Sequence, residues 1–245
     1  MDEEYIVISP RKGKQEQDIP ACGLFLATFA DADAAHRRLL DVGGQEHPFV
    51  MSHMSRLTVA ASGDFFVAGP AVGAPLATLC LEKMIALGAR QVVFYGWCGS
   101  ISEDLPIGQI VIGDRPISGE GTSQYYPLQE PVRPADGLQK KIVNHCANCG
   151  LAAQMATMWS TDALYREDRR QLAWLRKEKG VRAIDMEYSA MCAVAAFRQI
   201  ELAGVFVVSD ELFASSWRPG FSGAEFRRAN ASLLDAMLRF FTARQ

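Results

Sequence analysis

The stretch GPAVGAPLATLCLEKMIALGARQVVFYGWCGS, residues 69–100, decides the fold. Pro75 falls in the first turn of an apolar segment and Gly88 just past its end. Helices favour this asymmetry, because a first turn loses nothing with proline's missing N–H and glycine accepts the backbone that ends a helix. A helix is predicted over Ala74 to Leu87. Pro75, Glu82 and Lys83 interrupt its apolar run, so it reads as a core helix and not a membrane span. The β-branched and aromatic residues from Gln91 to Tyr95 then predict a short buried strand, and Gly96 to Ser100 a glycine-rich turn.

Outward from this unit, helix-like and strand-like segments alternate. Upstream, strands are expected at Tyr5–Ser9 and Leu24–Phe29, a polar helix at Asp31–Leu40, and a hairpin of Leu57–Ala61 with Phe65–Ala68. Downstream come a strand at Gly108–Ile112 and an irregular region from Pro116 to Pro134. Helices follow at Asp136–Asn148, Arg166–Lys179 and Glu187–Phe197, interleaved with strands at Leu151–Met158, Val181–Ile184 and Leu202–Val208. Ser222 and Glu225 form a capping-box pattern before a last helix. The whole, residues 1–245, reads as a single α/β domain with a twisted mixed β-sheet flanked by helices.

Of the 245 residues, 49% are hydrophobic, too many for intrinsic disorder. Twenty-five basic and 28 acidic residues leave a formal charge of −3. That argues against a general nucleic-acid binder but is silent on a small anion, for which one local cluster suffices. Met1-Asp2-Glu3-Glu4 is acidic with no apolar run behind it, so no signal peptide is readable. Cys22, Cys80, Cys98 and Cys192 lie in apolar runs, where a thiol packs as a small hydrophobe. Cys146 and Cys149 form a CxxC without the second ligand pair a zinc site needs. The expectation is a reduced, cytoplasmic protein without a metal or a membrane partner.

Four segments at strand ends carry candidate chemistry, since ligands of open α/β sheets gather there. Ser9-Pro10-Arg11-Lys12-Gly13-Lys14 is either a phosphate cradle or a solvated basic turn. Gly96-Trp97-Cys98-Gly99 either lets the backbone approach a ligand or presents Cys98 as a nucleophile, though no helix follows directly as a nucleophile elbow needs. Asp185-Met186-Glu187 stands at a strand-to-helix junction, where a carboxylate either favours the helix N-terminus or accepts two vicinal hydroxyls. Ser209-Asp210 ends an apolar strand, as a desolvated acid or as a cap.

Together and in this order, these segments resemble the nucleoside phosphorylase family of purine nucleoside phosphorylases, uridine phosphorylases and methylthioadenosine/S-adenosylhomocysteine nucleosidases. The likeness runs from about Ala68 to Phe213. It also includes Gly69-Pro70-Ala71-Val72-Gly73, Glu120-Gly121-Thr122-Ser123 with Tyr126-Pro127, and Trp159-Ser160-Thr161-Asp162. The resemblance implies cleavage of the N-glycosidic bond of a purine nucleoside by phosphate, with no other cofactor, in a homo-oligomer of dimer or hexamer type. Glu187 would hold the ribose hydroxyls with Met186 packed on the sugar. Asp210 would protonate or hydrogen-bond purine N7. Trp159, Ser209, Cys98 and Gly99 would meet the base. Phosphate would fall to Arg11, Lys12, Lys14 and Gly73, with Arg56 from a neighbouring subunit.

The chain departs from the family at the phosphate site. Phosphorolytic members carry an Arg two residues before the central glycine and a Ser or Thr directly after it; here stand Phe94 and Trp97. Hydrolysis by water, a uridine-type phosphorylase and a non-catalytic nucleoside-binding protein therefore remain as alternatives.

Overall fold

The computed structural model describes residues 6–49, 54–128, 130–214 and 216–242. Among the described residues, ten strands and six helices follow in chain order: β1 Cys22–Leu26, α1 Phe29–Asp41, β2 Gln45–His47, β3 Arg56–Val59, β4 Phe65–Gly69, α2 Ala74–Leu87, β5 Gln91–Ser100, β6 Ile110–Gly119, α3 Asp136–Asn148, β7 Ala153–Thr161, α4 Arg169–Lys179, β8 Val181–Asp185, α5 Tyr188–Phe197, β9 Glu201–Glu211, β10 Arg218–Pro219 and α6 Ala224–Thr242. Single 3₁₀ turns lie at Ser123–Tyr125 and Leu164–Arg166.

The strand order is β10-β9-β6-β7-β8-β5-β1-β4-β3-β2, and β9 also pairs with β5. That extra pairing closes β5, β9, β6, β7 and β8 into a ring, with β1 to β4 as an open wing. β5 runs parallel to β1 and β9 and antiparallel to β8, so the sheet is mixed.

Alternation along β5 sends Val92 and Phe94 to one face and Val93 and Tyr95 to the other, as pleating requires. The first face is covered by α2 and α5 through Cys80, Leu81, Met84, Met191 and Val194. The second is covered by α1, α3 and α6 through Ala35, Leu39, Ile142, Leu233 and Met237. α2 and α3 have the bounds their sequence signals predict.

The N-terminal strand is a correction. Tyr5 lies outside the described residues, and Ile6 to Ser9 form no strand; Val7 is 96% exposed. β1 already has β4 on one side and β5 on the other, so no edge there is free for another strand. The second expected strand ends at Leu26, and Phe29 opens α1. β5 and β9 outrun their expected ends because they remain paired through Ser100 and Glu211. β6 passes Pro116 at a register shift opposite β7, the kind of irregularity where a strand tolerates proline.

His36 of α1 is fully buried and ties the wing to the turn after β4. Its Nδ1 lies 2.8 Å from Thr58 Oγ1 and its Nε2 3.1 Å from the Gly69 carbonyl oxygen. The carbonyl requires Nε2–H, so Nδ1 accepts from the Thr58 hydroxyl and the ring is neutral. Burial pushes its pKa from 6.5 down to about 4. Between those values the unfolded chain takes up a proton that the folded one refuses, so this contribution is present above pH 6.5 and fades toward pH 4. Urea midpoints are predicted to fall between pH 7 and 5. His36→Gln should be less stable at pH 7 by about 1 kcal/mol, with a shallower pH slope.

Candidate active site

The carboxyl ends of β5, β8 and β9 meet around Cys98 and Gly99. β5 and β9 are in step up to Cys98 and Val208, and then Gly99 pairs with Asp210, leaving Ser209 as the extra residue of a bulge. A bulge re-aims the side chain beside it. A Cβ on Gly99 would meet Leu212 Cδ1 at 2.5 Å and Asp210 Oδ2 at 3.4 Å, so only glycine leaves Asp210 and Leu212 where they are.

Asp210 is buried, and each of its oxygens is engaged. Ser209 Oγ donates to Oδ1 at 2.7 Å and Trp217 Nε1 to Oδ2 at 2.8 Å. Ser209 Oγ also lies 3.2 Å from the Cys98 carbonyl oxygen. Burial and then the charges of Asp185 and Asp210 hold the Cys98 thiol far above its ordinary range. A protonated thiol between two carboxylates is no nucleophile.

On the other side of Cys98, β8 delivers Asp185 to the start of α5. Asp185 accepts Ser160 Oγ at 2.5 Å and the N–H groups of Glu187 and Tyr188 at 2.9 and 2.6 Å. It is the acid that caps α5, a role its place in the sequence did not separate from that of Glu187. Ser160 Oγ in turn accepts the Ser189 N–H at 2.9 Å. Met186 is half-buried between the two acids.

Glu187 is 5% exposed, and its Oε1 accepts the Gly73 N–H at 2.5 Å. Gly73 has φ +89° as the N-cap of α2, a backbone that favours glycine. Burial and then the Asp185 charge hold the Glu187 carboxyl well above the ordinary carboxylate range, while the N–H groups of Gly73 and Met186 oppose them. Burial raises Asp185 as well.

Glu120, at the end of β6, accepts Ser118 Oγ and Ser189 Oγ at 2.9 Å and the Thr122 and Ser123 N–H groups at 2.6 and 2.9 Å. It ties the loop after β6 to α5. Trp159 is 5% exposed and clusters with Ile101, Leu172, Leu175, Val181 and Ile184, its ring over Gly119. This is the placement of a core side chain. The sequence placed an aromatic here but not the direction of its ring.

Within the single chain, the four candidate phosphate cations have separate surroundings. The basic segment precedes β1 instead of following the first strand. The Arg11 carbonyl oxygen accepts from Lys83 at 2.8 Å, and Lys83 lies about 15 Å along α2 from Gly73 at the helical rise. Arg11 lines a groove of about 1080 Å³ with Lys83 and Arg198, and the same groove is lined by Pro75, Gly121 and Thr122. Lys12 pairs with Asp18 at 2.8 Å, and Lys14 is exposed. Arg56 pairs with Glu46 at 2.8 Å and Asp33 at 3.7 Å of its own chain.

Where β1 does end, Asp31 in the first turn of α1 is buried. It accepts Thr28 Oγ1 and Trp97 Nε1 at 2.7 Å and Asn230 Nδ2 at 2.6 Å. Phe94 is fully buried against Phe25 and Phe206. Sequence reasoning passed over Asp31 and Asn230, since a first-turn acid and a mid-helix amide 199 residues apart carry no local signal.

Carboxylates gathered at the carboxyl ends of strands in an α/β domain define a small-molecule site. The phosphorylase superfamily model matches residues 21–239, and the chain belongs to this family of enzymes. It is 23% identical over 164 residues to guanosine phosphorylase of Halorubrum lacusprofundi, covering 66% of this chain and 67% of that one. It thus spans about two thirds of that relative's length. Purine nucleoside phosphorylase of Toxoplasma gondii superposes with a TM-score of 0.79 at 17% identity, covering 95% of this chain and 97% of that one. Futalosine hydrolase of Helicobacter pylori does so with 0.73 at 14%, covering 92% and 100%.

The raised Glu187 carboxyl makes a prediction with a definite sign. The folded state holds its proton where the unfolded chain releases it, so the group costs stability increasingly as pH rises above 4.5. Glu187→Gln keeps an oxygen for the Gly73 N–H and removes that cost. The variant is predicted to be more stable than wild type at pH 8 by about 1–3 kcal/mol, with the difference shrinking toward pH 5 in thermal melts.

Proposed function

We propose that the protein cleaves the N-glycosidic bond of a purine nucleoside, with water as the attacking group. The observation that carries the glycosidic reading is the buried Glu187 carboxyl group, whose hydrogen-bonding capacity the protein leaves largely unused. One oxygen is fixed by Gly73 N–H, in the Asp185-Met186-Glu187 segment that resembles the family's ribose motif. Glu187 accepts the vicinal sugar hydroxyls, which holds the ring while positive charge develops at C1′. Asp210, across Cys98, faces the base; guanosine and purine nucleoside phosphorylases among the relatives and neighbours support a purine.

The choice of water rests on electrostatics. A phosphate dianion needs fixed cations or N–H donors. The residue after the central glycine is Trp97, whose indole N–H is spent on the buried Asp31 carboxylate, and Phe94 is locked in the core. A buried anion at that place opposes a dianion beside it. Lys12 and Arg56 are paired with carboxylates of their own chain. The hydrolase among the structural neighbours is consistent with this reading. Phosphorolysis is the second reading, favoured by the phosphorylases among the relatives.

Incubation with inosine, adenosine, guanosine, uridine and methylthioadenosine, with and without phosphate, separates them. Release of a purine base at a rate indifferent to phosphate, with free ribose or its thio-analogue as co-product, is expected. Phosphate dependence with ribose 1-phosphate as product would return the protein to the phosphorylases. Asp210→Asn should lower kcat/KM for the cleaved purine nucleoside by about 10²-fold.

A further inference from the structure

Trp217 is 59% exposed, yet its indole N–H is bonded to a buried carboxylate, Asp210 Oδ2, at 2.8 Å. The local pairing explains the meeting. After β9 the chain turns back, and β10 pairs with it antiparallel, Arg218 opposite Glu211 and Pro219 opposite Asp210. Arg218 donates to Glu211 at 2.9 Å, and Glu211 also accepts the Ile107 N–H at 3.1 Å. The Gly220 N–H adds a bond to the Ser209 carbonyl oxygen at 2.8 Å. These contacts pin the register. One residue before Arg218, Trp217 falls diagonal to Asp210 on the same face of the pair, within reach of a long aromatic side chain.

The ring is held from the side as well. The Phe221 centroid lies 6.2 Å from that of Trp217 and 5.9 Å from that of Trp97, and Trp97 meets Phe226 edge-on at 4.9 Å. Phe226 is buried. An aromatic row thus runs from the core out to Trp217, and it braces an indole that solvent would otherwise leave free to turn.

The two partners of Asp210 differ in what they can do. An indole N–H only donates. It fills one lone pair of Oδ2, so a proton carried by Asp210 cannot sit there. A hydroxyl both donates and accepts. Ser209 Oγ lies 2.7 Å from Asp210 Oδ1 and 3.2 Å from the Cys98 carbonyl oxygen. It donates to the ionised Asp210, and it can turn its hydrogen to Cys98 and accept once Asp210 is protonated. Ser209 therefore follows either charge state, whereas Trp217 holds still.

We propose that Trp217 is a positioning residue for Asp210: its N–H fixes the plane of the carboxyl and keeps the proton off the lone pair it fills, so that the acid presents that proton to the departing base. This rests on the reading of the protein as a purine nucleoside-cleaving enzyme with Asp210 as the proton donor. In that step the C1′–N9 bond breaks with its electron pair passing to the purine. The Asp210 proton moves to the imidazole edge, and the base leaves neutral. Water supplies its oxygen to C1′ and a proton to solvent, and Asp210 regains a proton from solvent. Trp217 gives up no proton at any point.

The test is Trp217→Phe, which keeps a ring against Phe221 and removes the N–H. The guanine of guanosine needs the proton, whereas the base of 7-methylguanosine is already cationic and leaves without it. The variant should lose about 10–10²-fold in kcat on guanosine and keep wild-type kcat on 7-methylguanosine, with KM and melting temperature unchanged. In an Asp210→Asn background the same substitution should cost nothing further. Equal loss on both nucleosides, a loss in the Asp210→Asn background as large as in wild type, or no loss on guanosine would overturn the proposal while leaving nucleoside cleavage intact. A wild-type enzyme that releases no base from guanosine would overturn the proposal together with the reading beneath it.

Discussion

Everything at the candidate site depends on the seam between β5 and β9. β5 must pair with β1 on the open wing and with both β8 and β9 in the ring. Three partners are possible because β9 pairs from Gln91 to Ser100 along one edge, while β1 at Gln91–Tyr95 and β8 at Gly99–Ser100 share the other. β8 takes Gly99 and Ser100, where the twist has turned the edge away from β1. The register shift at Gly99 absorbs the mismatch between the parallel and antiparallel neighbours. Its product is a site: Ser209 is squeezed out of step, Asp210 turns toward Gly99, and Leu212 closes over the glycine. A side chain at Gly99 would disturb the seam and the acid together.

The second constraint is how the fold tolerates so many buried acids. Asp31, Glu120, Asp185, Glu187, Asp210 and Glu211 are all buried. An ion taken from water is costly unless charge or hydrogen bonds replace the lost hydration. Glu120 accepts four donors, and these outweigh burial to hold its carboxyl below its ordinary range. Asp31 accepts three. Glu187 accepts far less, and its carboxyl is raised. The contrast separates scaffolding from function. The satisfied acids fasten loops and helices, whereas the under-satisfied one has the lone pairs that the proposed function assigns to sugar hydroxyls.

Much of this was legible because the signals were local. Pro75 and Gly88 bound α2, and Gly150 follows the end of α3. Glu187 and Asp210 stood out as acids at the ends of apolar runs. What failed was non-local. The apolar run at Ile6–Ile8 looks like a strand until β1 is seen to have both edges filled. That error moved the first strand by some twenty residues, so the basic segment with Arg11, Lys12 and Lys14 precedes β1 instead of following a strand.

The acidic surroundings also bear on the attacking group. The net charge of −3 does not decide it, since one pair of well-placed cations would outweigh it. Partnership bears on it, and supports the proposed hydrolysis. Lys12 and Arg56 each have a carboxylate within 4 Å, and the Trp97 N–H already meets Asp31. Binding a phosphate dianion at the Trp97 position would require breaking that bond and repaying the Asp31 carboxylate for its lost donor. Water asks for neither. The tryptophan that removes the phosphate donor is therefore matched by an acid that makes the loss coherent, and the two are read best as one change.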